Sequence, residues 1–241
     1  TGLLLLSGLA VIVNMLLTTA SRSRKMPLPA WMMIIGMIAG PLSAVSVVIS
    51  GSLDTGTGQW LATRLSASSF SLMVAGAVLY AASRGSGNPL WSRSLAAVTL
   101  AGTILTINSG GFFDGEVAAN FLGVDSAAFQ PSRNEVIAGS FLLALSLIPA
   151  IALSANVLAT MRGDDVFMEN PDSPGMPEIN LAAIMLVPLS IGALFVHTDH
   201  LTGTNQFTEI QTTLLLMGVW LIFVPASLGS TLCIFPEVSG R

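Results

Sequence analysis

Charged side chains are scarce in this chain of 241 residues. Lysine and arginine together number 9 and aspartate and glutamate 13, so only 9% of the residues are charged, compared with about 25% in an ordinary soluble domain. Apolar residues make up 52% of the chain, and so few charges cannot cover the surface of a soluble protein of this size. The composition excludes a soluble enzyme, a nucleic-acid-binding protein and a disordered chain, and it indicates a helical integral membrane protein.

Cysteine and histidine are nearly absent as well. The single cysteine, Cys233, excludes a disulfide framework and a cysteine-ligated cluster. The two histidines, His197 and His200, lie with Asp199 just after an apolar run. Imidazole and carboxylate suit a divalent ion, but three ligands alone do not complete a secure site. Two interpretations stay open: two solvated loop histidines, or an outer-face ion site that another chain completes at a subunit interface.

Seven apolar runs approach the roughly 20 residues that a membrane-spanning helix needs. We predict spans over residues 2–19, 27–50, 65–83, 95–108, 135–161, 179–196 and 209–234. The fourth is the shortest and is rich in threonine. The sequence therefore predicts an all-α fold, a polytopic transmembrane bundle of about seven helices that forms a single domain over residues 1–241. Because no basic region precedes the first run, we expect further residues upstream in the natural protein.

The few basic residues are unevenly distributed between the spans. Two of them, Arg64 and Arg133, fall in the even-numbered connections. The other seven fall in the odd-numbered connections and at the C-terminus, and they are Arg22, Arg24, Lys25, Arg84, Arg93, Arg162 and Arg241. Since cytoplasmic loops carry the excess of lysine and arginine, this distribution predicts an N-terminus outside and a C-terminus in the cytoplasm.

No charged residue lies in the interior of a predicted span. Ionisable groups inside a membrane are the usual marks of proton relays, ion pathways and coupling sites. Their absence from the spans argues against a proton-coupled transporter or a pump that works alone. Trp31 and Trp91 lie near span ends, where aromatic belts form at the membrane surface.

Three stretches of the chain carry motifs in a characteristic order. The first is GLLLLSGLAVIVNMLLTT, followed by a basic turn and KMPLPAWMMIIGMIAGPLSAVSVVISG, which resembles the middle of subunit I of the heme-copper oxidases. The second, SFLLALSLIPAIALSANVLATMRGD, resembles that family's eighth helix, with Pro149 in mid-span and Leu-Ala-Thr before the turn. The third, LLLMGVWLIFVPASLGSTLCIFPEVSGR, is similar to the end of the tenth helix. The resemblance implies that the seven spans match helices four to ten of a twelve-helix subunit, whose orientation in the membrane agrees with the distribution of basic residues.

The cofactor ligands of that family are missing from the matching positions. The His-Pro-Glu-Val-Tyr motif of its sixth helix is replaced by SASSFSLMVAGAVLYAAS, the His-His pair of its seventh by TINSGG, and the His-x-His of its tenth by FTEIQTTLLLMG. The resemblance therefore implies a chain that binds no heme or copper by itself, with those groups held only in partner subunits. His197, Asp199 and His200 fall near the family's outer-face magnesium region, which again implies a divalent ion there.

Three functions remain open from the sequence. The first is a non-catalytic, cofactor-free structural or assembly subunit of a respiratory electron-transfer complex of the cytochrome c oxidase type. It would lie in a bacterial or archaeal plasma membrane, or an organellar inner membrane, among lipid and other membrane subunits, with no nucleic acid as partner. The second is a small-solute transporter or channel, which requires Thr99, Thr103, Thr106 and Asn108 to face a cavity. The third is an accessory subunit of an unrelated respiratory or photosynthetic complex.

Overall fold

Every regular secondary-structure element in the part of the chain that the structure describes is an α-helix. The computed structural model describes residues 26–53, 56–106, 133–162, 174–202 and 221–235, together with residues 6, 9, 10, 12–14, 16, 17 and 20, which are also helical. Its helices are α1 (Leu28–Leu53), α2 (Gly56–Gly85), α3 (Arg93–Thr106), α4 (Arg133–Thr160), α5 (Met176–Thr202) and α6 (Leu221–Phe235). No strand occurs in these ranges, so the all-α prediction is confirmed for them.

Four helices contain stretches that are long and apolar enough to cross a membrane. These stretches are Leu28–Val45, Leu65–Gly85, Phe141–Thr160 and Met176–Phe195. Helices α3 and α6 are apolar but shorter; the 14 residues of α3 rise only about 21 Å at 1.5 Å per residue, whereas the hydrocarbon core is about 30 Å thick. Residues 107–108 and 209–220 of the predicted spans, and most of the first span, lie outside the described residues.

Two helices extend well beyond the predicted spans. Helix α2 begins at Gly56, nine residues before the predicted start at Leu65, so that Arg64 belongs to a helix and not to a connection. Helix α5 continues to Thr202, six residues past the predicted end at Val196. The backbone hydrogen bonds of a helix need no apolar side chains. The apolar run therefore marks the part of the helix suited to lipid, and the helix itself continues into polar sequence.

Helices α1 and α2 form a tightly packed antiparallel pair. A Cβ atom on Gly36 of α1 would lie 2.7 Å from the carbonyl oxygen of Ser69, and one on Gly76 of α2 would lie 2.6 Å from the carbonyl oxygen of Pro29. At the first of these contacts the Ser69 hydroxyl donates a hydrogen bond to the Gly36 carbonyl, at 2.5 Å. Small residues permit this approach of the two backbones, which is how helices associate where lipid removes the hydrophobic driving force.

Helices α3 and α4 also pack antiparallel. Ser92, just before α3, bonds to Asn156 near the end of α4, and Gly102 near the end of α3 lies against the ring of Pro149, closer to the start of α4. Helix α6 instead runs parallel to α2. The rings of Phe70 and Phe223 meet edge to face, with centroids 6.5 Å apart, and eleven residues further along α2 the Cys233 thiol lies 3.5 Å from the Ala81 carbonyl oxygen.

Several helices begin or end at the same end of the bundle. Gly85 at the end of α2 contacts Met176 at the start of α5, and the segment after α2 bonds to the carbonyls at the end of α4. The side chains of Arg84, Arg93 and Arg162 lie at this end and are exposed. We call it the basic end. Helices that follow one another in the chain alternate in direction between the basic end and the opposite end.

Helix α2 is the most enclosed of the long helices. Of its span, 72% is buried inside the protein, compared with 33% for the α1 span, 50% for α4 and 33% for α5. The side chains at its core are mostly small, with Leu72 and Leu79 as the large exceptions. Helix α2 therefore serves as the central element, and the others present large apolar side chains outward.

Candidate functional site

The predicted ion-site residues lie in the last turns of α5. The backbone of His197, Asp199 and His200 is helical, which differs from the loop expected after Val196. A separation of three residues places the two histidines on one side of a helix, at the end of the bundle opposite the basic end. Their side chains lie outside the described part of the structure, so the ion site stays a prediction.

No other candidate metal site emerges from the ranges that the structure describes. Within those ranges, no three side chains of the His, Cys, Asp or Glu type lie together closely enough to hold a metal ion. The polar side chains that the described residues bring together are hydroxyls and amides, and they cluster in two places.

The first place is a polar cluster at the basic end, centred on Asn156 of α4. The Asn156 side chain is fully buried. Its Oδ1 accepts from the Ser92 backbone N–H at 3.0 Å, and its Nδ2 donates to the Ser92 carbonyl at 2.9 Å. One amide side chain therefore satisfies both backbone groups of a residue just before α3, and the Ser92 hydroxyl in turn accepts from the N–H of Leu95, at 3.2 Å, as an N-cap.

The end of α4 is closed by the same connection. The Thr160 hydroxyl donates to the Asn156 carbonyl at 2.6 Å and accepts from the Trp91 backbone N–H at 3.1 Å. The Asn88 amide donates to the Thr160 carbonyl at 3.0 Å. The bond from Asn88 supplies a donor to a carbonyl in the last turn of α4, which has no backbone partner in its own helix. The hydrogen bonds of Asn156, Thr160 and Asn88 hold the α2–α3 connection against α4. We call residues 88–92, Asn156 and Thr160 the amide clasp.

The second place is a small cavity between α2, α3, α4 and α5. Its volume is about 20 Å³. Its polar lining residues are Ser71, Thr99, Thr103, Thr106 and Ser146, and its apolar lining residues are Ala75, Pro149, Ala150, Leu153 and Leu186. The three threonines recur at helical spacing on α3 and are all buried. We call this space the hydroxyl cavity.

A third feature lies on the outside of the bundle, between α2 and α6. It is a groove of about 400 Å³, and Met73, Val74, Ala77, Ala226 and Ile234 are among its lining residues. Hydroxyl groups contribute little of its lining, and one of them, the Ser230 hydroxyl, is buried without a hydrogen-bond partner. An apolar hydrocarbon surface fits such a groove better than a polar solute does.

The sequence indicated part of these arrangements and missed part. The threonines of α3 were expected to face a cavity if the chain were a channel, and the structure places Thr99, Thr103 and Thr106 at one; Asn108 lies outside the described residues. The amide clasp was not predicted. Its signal in the sequence is Asn156, an amide in an apolar run, because a buried amide needs a polar partner.

No family model matches the chain, and neither a curated protein nor a solved structure is significantly similar to it.

Proposed function

We propose that this chain is an integral membrane protein that serves as a cofactor-free structural or assembly subunit of a membrane electron-transfer complex. In this proposal it is a degenerate relative of heme-copper oxidase subunit I that keeps the scaffold and has lost the ligands. Fold and site are separable in this way because the function of a fold depends on the particular residues that it carries. The observation that carries the proposal is the close packing of the interior between α2 and α5.

The size of the hydroxyl cavity supports a packed scaffold. At about 20 Å³ it has room for about one water molecule, whereas small-molecule and cofactor sites enclose about 300 to 1,000 Å³. The central helix is lined by small residues that neighbouring backbones approach closely, such as Gly76. Between α2, α3, α4 and α5, in the part of the bundle that the structure describes, such packing suits a structural role better than transport of a solute.

The outward faces support a membrane location. On α4 the residues Phe141, Leu145, Ile148 and Ile151 are 38–65% exposed and recur every three or four positions, which makes a continuous apolar stripe. Similar side chains are exposed on α1, α3, α5 and α6. Lipid or the helices of other membrane subunits would cover these faces and the groove between α2 and α6.

The positions of the charged residues support the predicted orientation. The exposed Arg84, Arg93 and Arg162 lie at the same end of the bundle, although they are far apart in the sequence. By the positive-inside rule this end faces the cytoplasm. The ends of α2, α4 and α6 would then lie on the cytoplasmic side, and His197 and His200 on the outer side.

Co-purification tests the proposal most directly. The tagged full chain is extracted in mild detergent and its partners are identified by mass spectrometry, and the chain is then separated from them and examined by visible absorption and metal analysis. We expect membrane subunits that carry heme or copper among the partners, and no heme or copper in the separated chain. Heme that stays with the separated chain would refute the cofactor-free scaffold. Partners without any electron-transfer subunit would refute the proposed complex and favour the accessory subunit of an unrelated assembly.

A channel is the second candidate, and the convergence of three threonines on one cavity favours it. If the hydroxyl cavity belongs to a conduction path, liposomes containing the chain will pass a small solute faster than empty liposomes, and the isosteric Thr103→Val variant will slow that flux. The scaffold proposal predicts equal leakage for the wild-type chain, the variant and empty liposomes.

A further inference from the structure

The hydroxyl cavity contains an unsatisfied polar group. Ser71 lies on the central helix α2, its side chain is 5% exposed, and its Oγ has no hydrogen-bond partner within the protein. Ser71 also lines the cavity. A buried hydroxyl without a partner costs free energy, and native proteins usually satisfy such groups with protein atoms or an ordered water.

Three of the other four hydroxyls in the cavity lining already donate hydrogen bonds within the protein. Thr99 donates to a carbonyl of its own helix at 3.0 Å, Thr106 does so at 2.8 Å and Ser146 at 2.6 Å. Each of these oxygens keeps a lone pair that can accept a hydrogen bond. The lining therefore offers several acceptors, together with the Ser71 hydroxyl, which can donate or accept.

The proline in the cavity wall removes one backbone hydrogen bond from α4. Pro149 has no N–H, so the carbonyl of Leu145, four residues earlier, lacks its usual helical donor. Prolines in apolar helices are tolerated where ordered water or side chains supply the missing donor. A ligand that brings two donors and accepts one bond matches this set of groups.

We infer that the hydroxyl cavity is a binding site for a single water molecule, which accepts from Ser71 and donates to hydroxyl oxygens of α3 and α4. About 20 Å³ is enough for one water and not for two, since one water needs about 10 to 15 Å³ by the same measure. A bare cation fits less well because none of the lining residues carries a negative charge, and a buried ion without a countercharge is costly. This water would link α2 to the proline-containing segment of α4, whatever complex the chain belongs to.

Hydroxyl-radical footprinting of the full chain in lipid nanodiscs tests the water site. Radicals formed from a bound water oxidise the side chains next to it, so we expect Pro149 and Leu153 to be labelled although both are buried. Brief mixing with ¹⁸O-water before the pulse distinguishes a bound water, which keeps its ¹⁶O label, from bulk solvent.

Two valine variants on α2 provide the comparison. Ser71→Val removes the hydroxyl and adds a methyl group to the cavity, so labelling of Pro149 and Leu153 should fall several-fold. Ser68→Val is the matched control, because Ser68 is equally buried and also has an unpartnered Oγ but is not among the residues that line the cavity. It should leave the labelling unchanged.

Three outcomes would overturn the water site. The first is wild-type labelling of Pro149 and Leu153 at the background of other buried residues, which needs no variant to interpret. The second is an equal loss of labelling in the Ser68→Val and Ser71→Val chains. The third is a melting temperature of the wild-type chain that is higher in Na⁺ than in N-methylglucamine, with no such difference in the Ser71→Val chain. That result would show that the cavity binds a cation.

Discussion

At the scale of single residues, Asn156 shows how a buried amide determines a local structure. Its Oδ1 accepts from the Ser92 N–H, and its Nδ2 donates to the Ser92 carbonyl, which also accepts from the Ala96 N–H at 3.3 Å. In an apolar environment these groups have no water as an alternative partner. The amide clasp is therefore the strongest polar connection between α4 and the segment that leads into α3.

Replacing Asn156 with the isosteric leucine should destabilise the protein by about 1 to 2 kcal/mol, because the Ser92 N–H loses its partner and the Ser92 carbonyl keeps only its 3.3 Å bond from the Ala96 N–H. Equilibrium unfolding in mixed detergent and denaturant measures this loss. Asn180→Leu is the control: Asn180 is as buried as Asn156, but its Nδ2 has no partner, so its loss should cost clearly less. Equal losses in the two variants would mean that the bonds to Ser92 contribute nothing beyond burial.

At the scale of secondary structure, the contact of α1 with α2 depends on two glycines, which have no side chain to keep the helices apart. Gly36 and Gly76 meet backbone carbonyls of the facing helix, and a backbone cannot rotate away as a side chain can. The Ser69 hydroxyl bonds across the same contact. In the proposed membrane setting, close backbone packing would be the main source of affinity between these helices, since lipid is as apolar as their side chains.

Gly36→Ala should destabilise the α1–α2 pair by about 1 to 3 kcal/mol through overpacking, less a gain of up to about 1 kcal/mol in helix propensity. Gly40→Ala makes the same change on the same helix, but its nearest neighbour is a side-chain atom, Ser69 Oγ, at 3.3 Å. It should be much closer to neutral. Unfolding in SDS compares the two variants, and similar stabilities would contradict the proposed backbone contact.

The start of α5 crosses α6 through another glycine pair. Gly175 has a φ of +82°, and its backbone lies directly against that of Gly229. Gly175 thus needs both a left-handed backbone and an empty Cβ position. Gly87 also has a positive φ, of +67°, but no atom would lie within 4 Å of a Cβ there.

This difference predicts unequal alanine variants. Gly87→Ala should cost about 1 to 2 kcal/mol for the left-handed conformation, and Gly175→Ala should cost that amount plus about 1 to 3 kcal/mol for the clash with Gly229. Thermal unfolding in the same detergent ranks the two. A Gly175→Ala variant as stable as Gly87→Ala would show that α5 and α6 are further apart than described.

At the scale of the whole molecule, exposed arginines that the structure describes lie together at one end of the bundle. The exposed arginines and the amide clasp lie at the basic end, with Trp91 beside them, about half exposed. An exposed indole suits the membrane interface, where its apolar ring and its N–H are both accommodated. This position of the exposed arginines supports the proposal that the chain has a single orientation in the membrane.

Labelling of single-cysteine variants measures this orientation. In a Cys233→Ala background, Ser94→Cys lies at the start of α3 near the basic end and Thr202→Cys is the last residue of α5 at the opposite end. If the basic end faces the cytoplasm, a membrane-impermeant maleimide should label Ser94→Cys in inside-out vesicles and Thr202→Cys in intact spheroplasts. The reverse pattern would overturn the predicted orientation, and labelling of both from the same side would overturn the alternation of the helices.

Several features of the fold were predictable from the sequence because they depend on composition along the chain. Scarce charge and long apolar runs predicted helices, and the centres of five runs coincide with α1 to α5. The ends of those helices were less accurate. Arg64 was expected in a connection because it is charged, yet a charged residue joins a helix readily once its side chain is outside the apolar part. The ion site of His197, Asp199 and His200 stays a prediction, as does the first span.

The helical class, the approximate position of most helices and the shortage of chemically reactive groups follow from the order of the residues, because each depends on residue type and local spacing. Which polar residues contact one another is visible only in the folded chain. Asn156 and Ser92 are 64 residues apart, and the hydroxyl cavity draws its lining from α2, α3, α4 and α5. Such meetings depend on the rotation and depth of each helix against its neighbours. Small residues such as Gly36 and Gly76 set this rotation and depth, because they allow two helices to approach closely. The pattern of residues along one helix does not show which neighbour it will contact.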